Sequence, residues 1–373
     1  MAVKSTSSLS TTDSGEIPQS QLPRMAGTLE AIRAELPAMR PLAEEAAARL
    51  ADGGGLWACG IRSLVGEFTG RAGGFMMIRM IKPAKDKLPA GQDVVLGFPE
   101  DGPRLHMPEL ADGPLTINFA DYPSSPDNLC LATHARERRV SPTLAMAACG
   151  WVFTGELVAS LTRMGKMPVI YETIGAYHGH LRIKQYNRGE IAWHESHEAP
   201  EIAPGVLGGR YIDTVTAMLG RIEKEEGEKL DRAKEWAHEA RADGKRLFMY
   251  SMGHIFPDEI SKNAIGEQFE SAVWNAGFPH AKPDDEYSAG DFVAHIGYQH
   301  PPGQLLRKAR AAGARVVYVC LRHDRDFERD PNVIRIDPMW DWSDACVPLE
   351  GYDVPLLPAS GVINGAIAWE LAG

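Results

Sequence analysis

Two short turns carry the side chains best suited to chemistry. Gly60-Ile61-Arg62-Ser63 follows the apolar run Leu56–Cys59 and opens a helical pattern near Leu64. A strand that breaks through small residues into a helix aims free backbone N–H groups and the positive end of the helix dipole at one spot, a cradle for an anion or a sugar. Ser251-Met252-Gly253-His254 follows Leu247–Tyr250 in the same manner. Glu67 stands one helical turn beyond Ser63, and Asp258 and Glu259 stand beyond His254. Moving a proton on a bound ligand needs one group to act as base and a second to act as acid or to polarise a carbonyl. Glutamate and histidine suit these tasks when burial lifts the glutamate pKa toward neutrality. Glu67, His254 and Glu259 are therefore the candidate catalytic residues, and Gly60, Arg62, Ser63, Ser251 and Gly253 candidate substrate contacts. The plainer alternative makes both turns ordinary connections and Glu67 a residue of an exposed helix face.

A second cluster offers different chemistry. Glu172, His178, His180, His194 and His197 contain His-x-His and His-x-x-His spacings of the kind that bind zinc or another divalent metal, and a bound metal can itself be catalytic. The glycines and prolines between them argue against a shared helix face, so a histidine cluster at the surface or at a subunit contact is the favoured reading. Trp340 and Trp342, with Asp341 and Asp344, can form a wall on which a sugar stacks, or simply pack.

These candidates must be positioned by the surrounding elements. Apolar residues from Leu29 to Leu50 recur at spacings of three and four, with Pro37 and Pro41 predicting two helices rather than one. Strands are predicted at Leu56–Cys59, Phe75–Ile81, Asp93–Phe98, Leu115–Ala120 and Asn128–Ala132, then a long apolar helix from Pro142 to Arg163. Short apolar strands alternating with helices mean a parallel sheet. Residues 171–212 interrupt the rhythm, and a helix from Asp213 to Ala242 restarts it, its charged stretch Glu223–Lys229 on the solvent side.

The chain then repeats itself. Asp93–Pro99 is echoed by Asp291–Tyr298, Leu115–Phe119 by Val316–Val319, and Gly150–Leu157 by Gly361–Ile367, in the same order as the two turns. On these segments, above all Gly290-Asp291-Phe292-Val293, Ala309–Val319 and Pro358–Asn364, the chain resembles the sugar isomerase (SIS) domain family over roughly 50–165 and 213–373. The resemblance implies two tandem α/β domains, each a five-stranded parallel sheet between helices: a tail over 1–24, a first domain over 25–170, an inter-domain segment over 171–212 and a second domain over 213–373. It further implies aldose–ketose isomerisation of a sugar or phosphosugar, or non-catalytic sensing of one, in clefts at the carboxyl ends of the strands. It adds Gln299, His300, Ser360 and Asn364 to the substrate contacts, and a homodimer. The sequence departs from the family where a hydroxyl-rich phosphate cradle is expected: Gly97–Gly102 and Gly297–Pro302 carry no serine or threonine. Glu100 and Asp101 there oppose a phosphate.

Composition bounds the partners. The 373 residues carry 39 basic and 50 acidic side chains, a net charge of −11 that disfavours nucleic acid and anionic membranes. Apolar content of 44% and charged content of 24% fit a soluble globular protein, and no apolar run suggests a bilayer span. Five scattered cysteines without a CxxC pair fit reduced thiols in the cytoplasm, and no GxGxxG follows a strand, so neither a zinc ribbon nor a nicotinamide cofactor is expected. No cofactor of any kind is called for.

Overall fold

The computed structural model describes residues 20–81, 89–100, 102, 113–126, 128–173, 177–194, 200–251, 269–273 and 286–373. Its first half runs α1 (Gln21–Arg33), α2 (Leu36–Ala51), β1 (Leu56–Gly60), α3 (Arg62–Phe68), β2 (Ile78–Met80), β3 (Val94–Phe98), β4 (Leu115–Phe119), β5 (Leu129–Leu131), the single turn α4 (Ala135–Arg138) and α5 (Pro142–Arg163). Helix α6 (Tyr177–Asn187) connects to α7 (Val206–Ala242), β6 (Leu247–Ser251), β7 (Glu270–Val273), β8 (Phe292–Ile296), α8 (Gly303–Ala311), β9 (Arg315–Val319), α9 (Arg325–Glu328) and β10 (Val333–Ile336). A hairpin, β11 (Ala345–Val347) and β12 (Leu356–Pro358), leads into the last helix, α10 (Ser360–Ala372).

The strand orders are β2-β1-β3-β4-β5 and β7-β6-β8-β9-β10, so the two five-stranded sheets share one topology, as the repeat predicts. All their pairings are parallel, and the registers correspond: Leu56, Val94 and Leu115 form one row, Leu247, Phe292 and Arg315 its counterpart. Alternation along each strand sorts the residues into two faces. Leu56, Ala58, Val94, Leu96 and Phe98 from the first sheet, and Leu247, Met249, Phe292 and Ala294 from the second, belong to one continuous core shared with α1, α2, α5, α7 and α10. The outer face of the second sheet, Phe248, Tyr250, Val293 and Val316, packs separately on Leu305, Leu306 and Ala309 of α8.

Helix α5 is long and apolar enough to cross a bilayer, although the sequence pattern suggests no span. It is buried along its whole apolar window, because helices and sheet cover it on every side.

Three element boundaries differ from the pattern reading. The first pair of helices breaks at Ala34–Glu35, leaving Pro37 in the opening turn of α2, where proline is tolerated, and Pro41 inside the helix. Helix α1 starts at Gln21 rather than near Met25, because Glu370 of α10 accepts hydrogen bonds from Ser20 Oγ (2.9 Å) and Gln21 N (2.5 Å). Helix α7 starts at Val206 rather than Asp213. Gly208 reads as a loop residue but is a close-packing one: a Cβ there would sit 2.8 Å from Leu36 Cδ2. The N-terminus of α7 is capped from another helix, since Glu156 of α5 accepts from Gly205 N (2.7 Å) and Gly208 N (3.2 Å). Burial still holds the Glu156 pKa above its ordinary value despite these bonds. Glu156→Ala is expected to cost about 1–3 kcal/mol, the penalty for buried N–H groups left without acceptors. Urea unfolding together with amide exchange at Gly205 and Gly208 reads this out; unchanged exchange would remove Glu156 as the cap.

Candidate functional site

A sealed group of charges joins the two halves. Arg71, just past α3, lies with its Nε 3.6 Å from Glu67 Oε2 and its Nη2 2.7 Å from Asp344 Oδ2, and also bonds the Ser360 hydroxyl. Asp344 Oδ1 accepts from Ser360 N at 2.8 Å, which anchors the start of α10 to the same cluster. Trp151 of α5 donates to Glu67 Oε1 at 3.4 Å while its ring stacks on Phe68. The Glu67 and Asp344 side chains have at most 1% exposure. Two carboxylates share one guanidinium, and burial outweighs the arginine and pushes the Glu67 pKa up. Helix α10 approaches so closely that a Cβ at Gly361 would lie 2.1 Å from Glu67 Oε1.

Directly beside this cluster, a cleft of about 420 Å3 opens between the halves. Ala72 and Gly73 of the first half form one wall, and Asp341, Trp342 and Ser343 another. Tyr171, Glu172, Thr173 and Asp353 complete its polar lining. Gly73, at φ +85°, accepts a hydrogen bond from Leu357 N at 3.0 Å, and a Cβ on it would strike Ala345 Cβ at 2.7 Å. Only glycine fits both the backbone and the contact. Opposite, Met339, Asp344 and Leu357 all take left-handed backbone conformations. Non-glycine residues adopt these at a cost of order 1–3 kcal/mol each, and they cluster at ligand sites.

Trp342 is the exposed aromatic of this cleft, at 37% exposure. It is held on three sides: Gln299 Nε2 donates to its carbonyl at 3.1 Å, the His300 ring meets it edge-on at 5.5 Å, and the Arg322 guanidinium lies 4.8 Å from its ring centre. Gln299 and His300 follow β8, Arg322 follows β9 and Trp342 follows β10, so all four converge at the carboxyl edge of the second sheet. Partial burial and Arg322 keep the His300 pKa below its ordinary value.

The remaining expected residues are dispersed. Gly60 (φ +113°) approaches Phe98 O so closely that a Cβ would meet it at 1.9 Å, and Ile61 N donates to the same oxygen at 2.8 Å. Arg62 is exposed and Ser63 half-buried on the two-turn helix α3. Ser251 is buried at the end of β6, whereas Gly253, His254, Asp258 and Glu259 lie outside the described residues. Ser360 belongs to the charge cluster. Asn364 donates to Gly297 O (3.0 Å) and accepts from Trp340 Nε1 (3.0 Å), tying α10 to the end of β8. Trp340 is a core residue stacked on Tyr298.

The histidine cluster divides. His178 and His180 lie on α6, with His180 exposed, and His197 lies outside the described residues. His194 packs edge-on against Tyr352 at 4.6 Å, 3.7 Å from Asp353 Oδ1 and 3.5 Å from Arg182. Arg182 in turn binds Asp353 at 2.6 Å and faces Glu172 at 3.9 Å, fixing two carboxylates of the cleft. Among the described residues no three His, Cys, Asp or Glu side chains gather in a way that could hold a metal. Sequence reasoning named Trp342, Asp341 and Glu172 but missed Arg182 and Asp353, which carry no motif and meet only through tertiary packing.

No family model and no curated protein matches this sequence. Among solved structures, the C-terminal domain of glucosamine-fructose-6-phosphate aminotransferase from Francisella tularensis aligns at a TM-score of 0.47 and 10% identity, over 97% of each chain. A protein from Salmonella typhimurium LT2, described as sugar-binding, aligns at 0.50 and 10% identity, over 94% of this chain and 98% of that one. With the duplicated sheets, the chain has the tandem SIS fold.

The charge cluster predicts two unequal mutants. Arg71→Met strands two buried carboxylates and is expected to cost about 3–5 kcal/mol. Glu67→Gln leaves a balanced Arg71–Asp344 pair and should cost far less. Because folding raises the Glu67 pKa, its contribution is most favourable below the usual glutamate value and is lost as pH rises through the elevated one. Glu67→Gln should therefore flatten the fall in stability with rising pH, measured by urea titrations across the acid-to-neutral range. An unaltered slope would assign Glu67 an ordinary pKa.

Proposed function

We propose that the protein binds an unphosphorylated sugar, or a small sugar derivative, in the cleft between its two halves. The observation that carries this reading is Trp342, an exposed indole held rigid by Gln299, His300 and Arg322 beside the carboxylates of Asp341, Asp353 and Glu172. A sugar ring presents an apolar C–H face to stack on an aromatic and hydroxyls to donate to carboxylates. The cleft borders the carboxyl edge of a parallel sheet, the ordinary ligand edge of such folds, and its size suits one small molecule. The description of the Salmonella protein of the same fold as sugar-binding agrees with this reading. Among the described residues no lysine or arginine lines the cleft, and its three acids oppose a phosphate ester.

Binding is favoured over isomerisation. Glu67, the acid an enediol mechanism would draw on in the first half, is enclosed by Arg71, Trp151 and α10. We assign Glu67 a positioning role through Arg71. In a thermal-shift panel of neutral aldoses, ketoses and their phosphates, neutral sugars are expected to raise the melting temperature and phosphates to raise it less. Trp342→Ala should weaken binding by about tenfold or more, with Trp342→Phe retaining most of it. In deuterated water the C2 proton of a bound aldose should persist by NMR; its exchange would establish the isomerase instead, and an unaffected Trp342→Ala would remove the cleft.

A further inference from the structure

We infer that the first half carries a second site for the same class of neutral, hydroxylated ring, at the carboxyl edge of β4 and β5. A cavity of about 420 Å3 opens there, lined by Asp121, Tyr122, Pro123, Ala132, His134, Arg136 and Glu137. The ligand class is that proposed for the interdomain cleft, but the site shares no residue with it.

Three observations build the site. His134 is held in the left-handed backbone region at φ 58°, an uncommon conformation for any residue but glycine. The second half repeats this kink: Met339, at φ 62°, stands three residues after the last residue of β10, as His134 stands three after the last of β5. In the second half the kinked segment continues into Asp341–Ser343, the wall of the cleft. The kink is thus a duplicated device beside a cavity in each copy.

The side chains around His134 are fixed in place. Its Nε2 lies 3.1 Å from Glu35 Oε1, at the junction of α1 and α2, and its Nδ1 lies 3.5 Å from Glu137 Oε2. Asp121 accepts from Thr133 N (3.1 Å), Thr133 Oγ1 (2.6 Å) and Arg136 N (2.7 Å), so its carboxylate is held in one orientation. Tyr122, Pro123 and Ala132 supply the apolar wall, and the imidazole, the carboxylates and the Arg136 guanidinium the polar one. Asp121 and Glu137, with Glu35 behind His134, offer acceptors to a hydroxyl donor, while Arg136 in the lining and Arg138 beside Glu137 bring the charge of the cavity close to neutral.

Isothermal titration of the full-length protein with glucose, and separately with fructose, tests this. The wild type is expected to bind two equivalents. Tyr122→Ala should abolish one or weaken it by about tenfold or more, leaving the site that Trp342→Ala removes. His134→Gly should do the same in a folded protein, because glycine accepts the left-handed backbone. A single site that Trp342→Ala removes and Tyr122→Ala leaves intact overturns this inference while the cleft stands. A single site with the opposite pattern supports it and removes the cleft. No binding of either sugar removes both.

Discussion

One buried guanidinium holds the architecture together. Arg71 leaves the first half at the end of α3 and ends between Glu67, Asp344 and Ser360, so two halves that already share one core also share an electrostatic joint. Such a group is costly to bury and costlier to break, because removing one partner abandons the others in a medium that does not solvate them. It therefore specifies one relative placement of the halves more than it stabilises either. The cleft inherits that placement. Ala72 and Gly73, which follow Arg71, face Asp341–Ala345, which flank Asp344, so the walls of the site are the backbone on either side of the ion pair.

The duplication reinforces this joint by exchange. Glu156, on the last helix of the first half, caps the helix that opens the second; Glu370, on the last helix of the second half, caps the helix that opens the first. Lys234 of α7 also binds Glu370 at 2.7 Å, so one carboxylate joins three helices. Each half thus closes a terminus that the other leaves open, and the caps lie beside a core that runs unbroken from sheet to sheet. Close packing completes the arrangement. Gly150 abuts Phe68 as Gly361 abuts Glu67, so corresponding glycines of α5 and α10 bring both terminal helices onto α3.

The fold was legible because it rests on local periodicity read twice. Strand alternation, the Asp-Val-Val and Asp-Phe-Val runs and the apolar span Pro142–Arg163 each appear where the pattern puts them, and repetition turned individually weak signals into a topology. What the pattern missed is non-local. Nothing near Gln21 or Val206 announces a helix start, since the caps come from residues 349 and 49 positions away. The short edge strand β10 and the hairpin of β11 and β12 escaped because segments of three and four residues carry too little period to register. The site was half legible. Glu67 was read as a pocket-facing acid or else an exposed one, and it is neither: spacing alone does not reveal an acid enclosed by Arg71, Trp151 and a glycine-faced helix. Trp342 was visible as an aromatic between acids; that it is the exposed one, and Trp340 the buried one, follows only from Asn364 and Tyr298 claiming Trp340.

Charge decides what such a site recognises. The two hydroxyl-poor loops after β3 and β8 remove the neutral donors that would cradle a phosphate, and the cleft replaces them with Asp341, Asp353 and Glu172. Arg182 neutralises part of this charge, but its guanidinium is already engaged by Asp353 and faces Glu172, so it orients acceptors rather than offering a donor fork to an oxyanion. Carboxylates so oriented are acceptors only, which suits hydroxyl and amine donors and penalises anions. An aromatic wall adds affinity for a C–H face and none for a phosphate. The backbone turns of this fold suit anions, whereas the side chains of this cleft present acceptors to hydroxyl and amine donors.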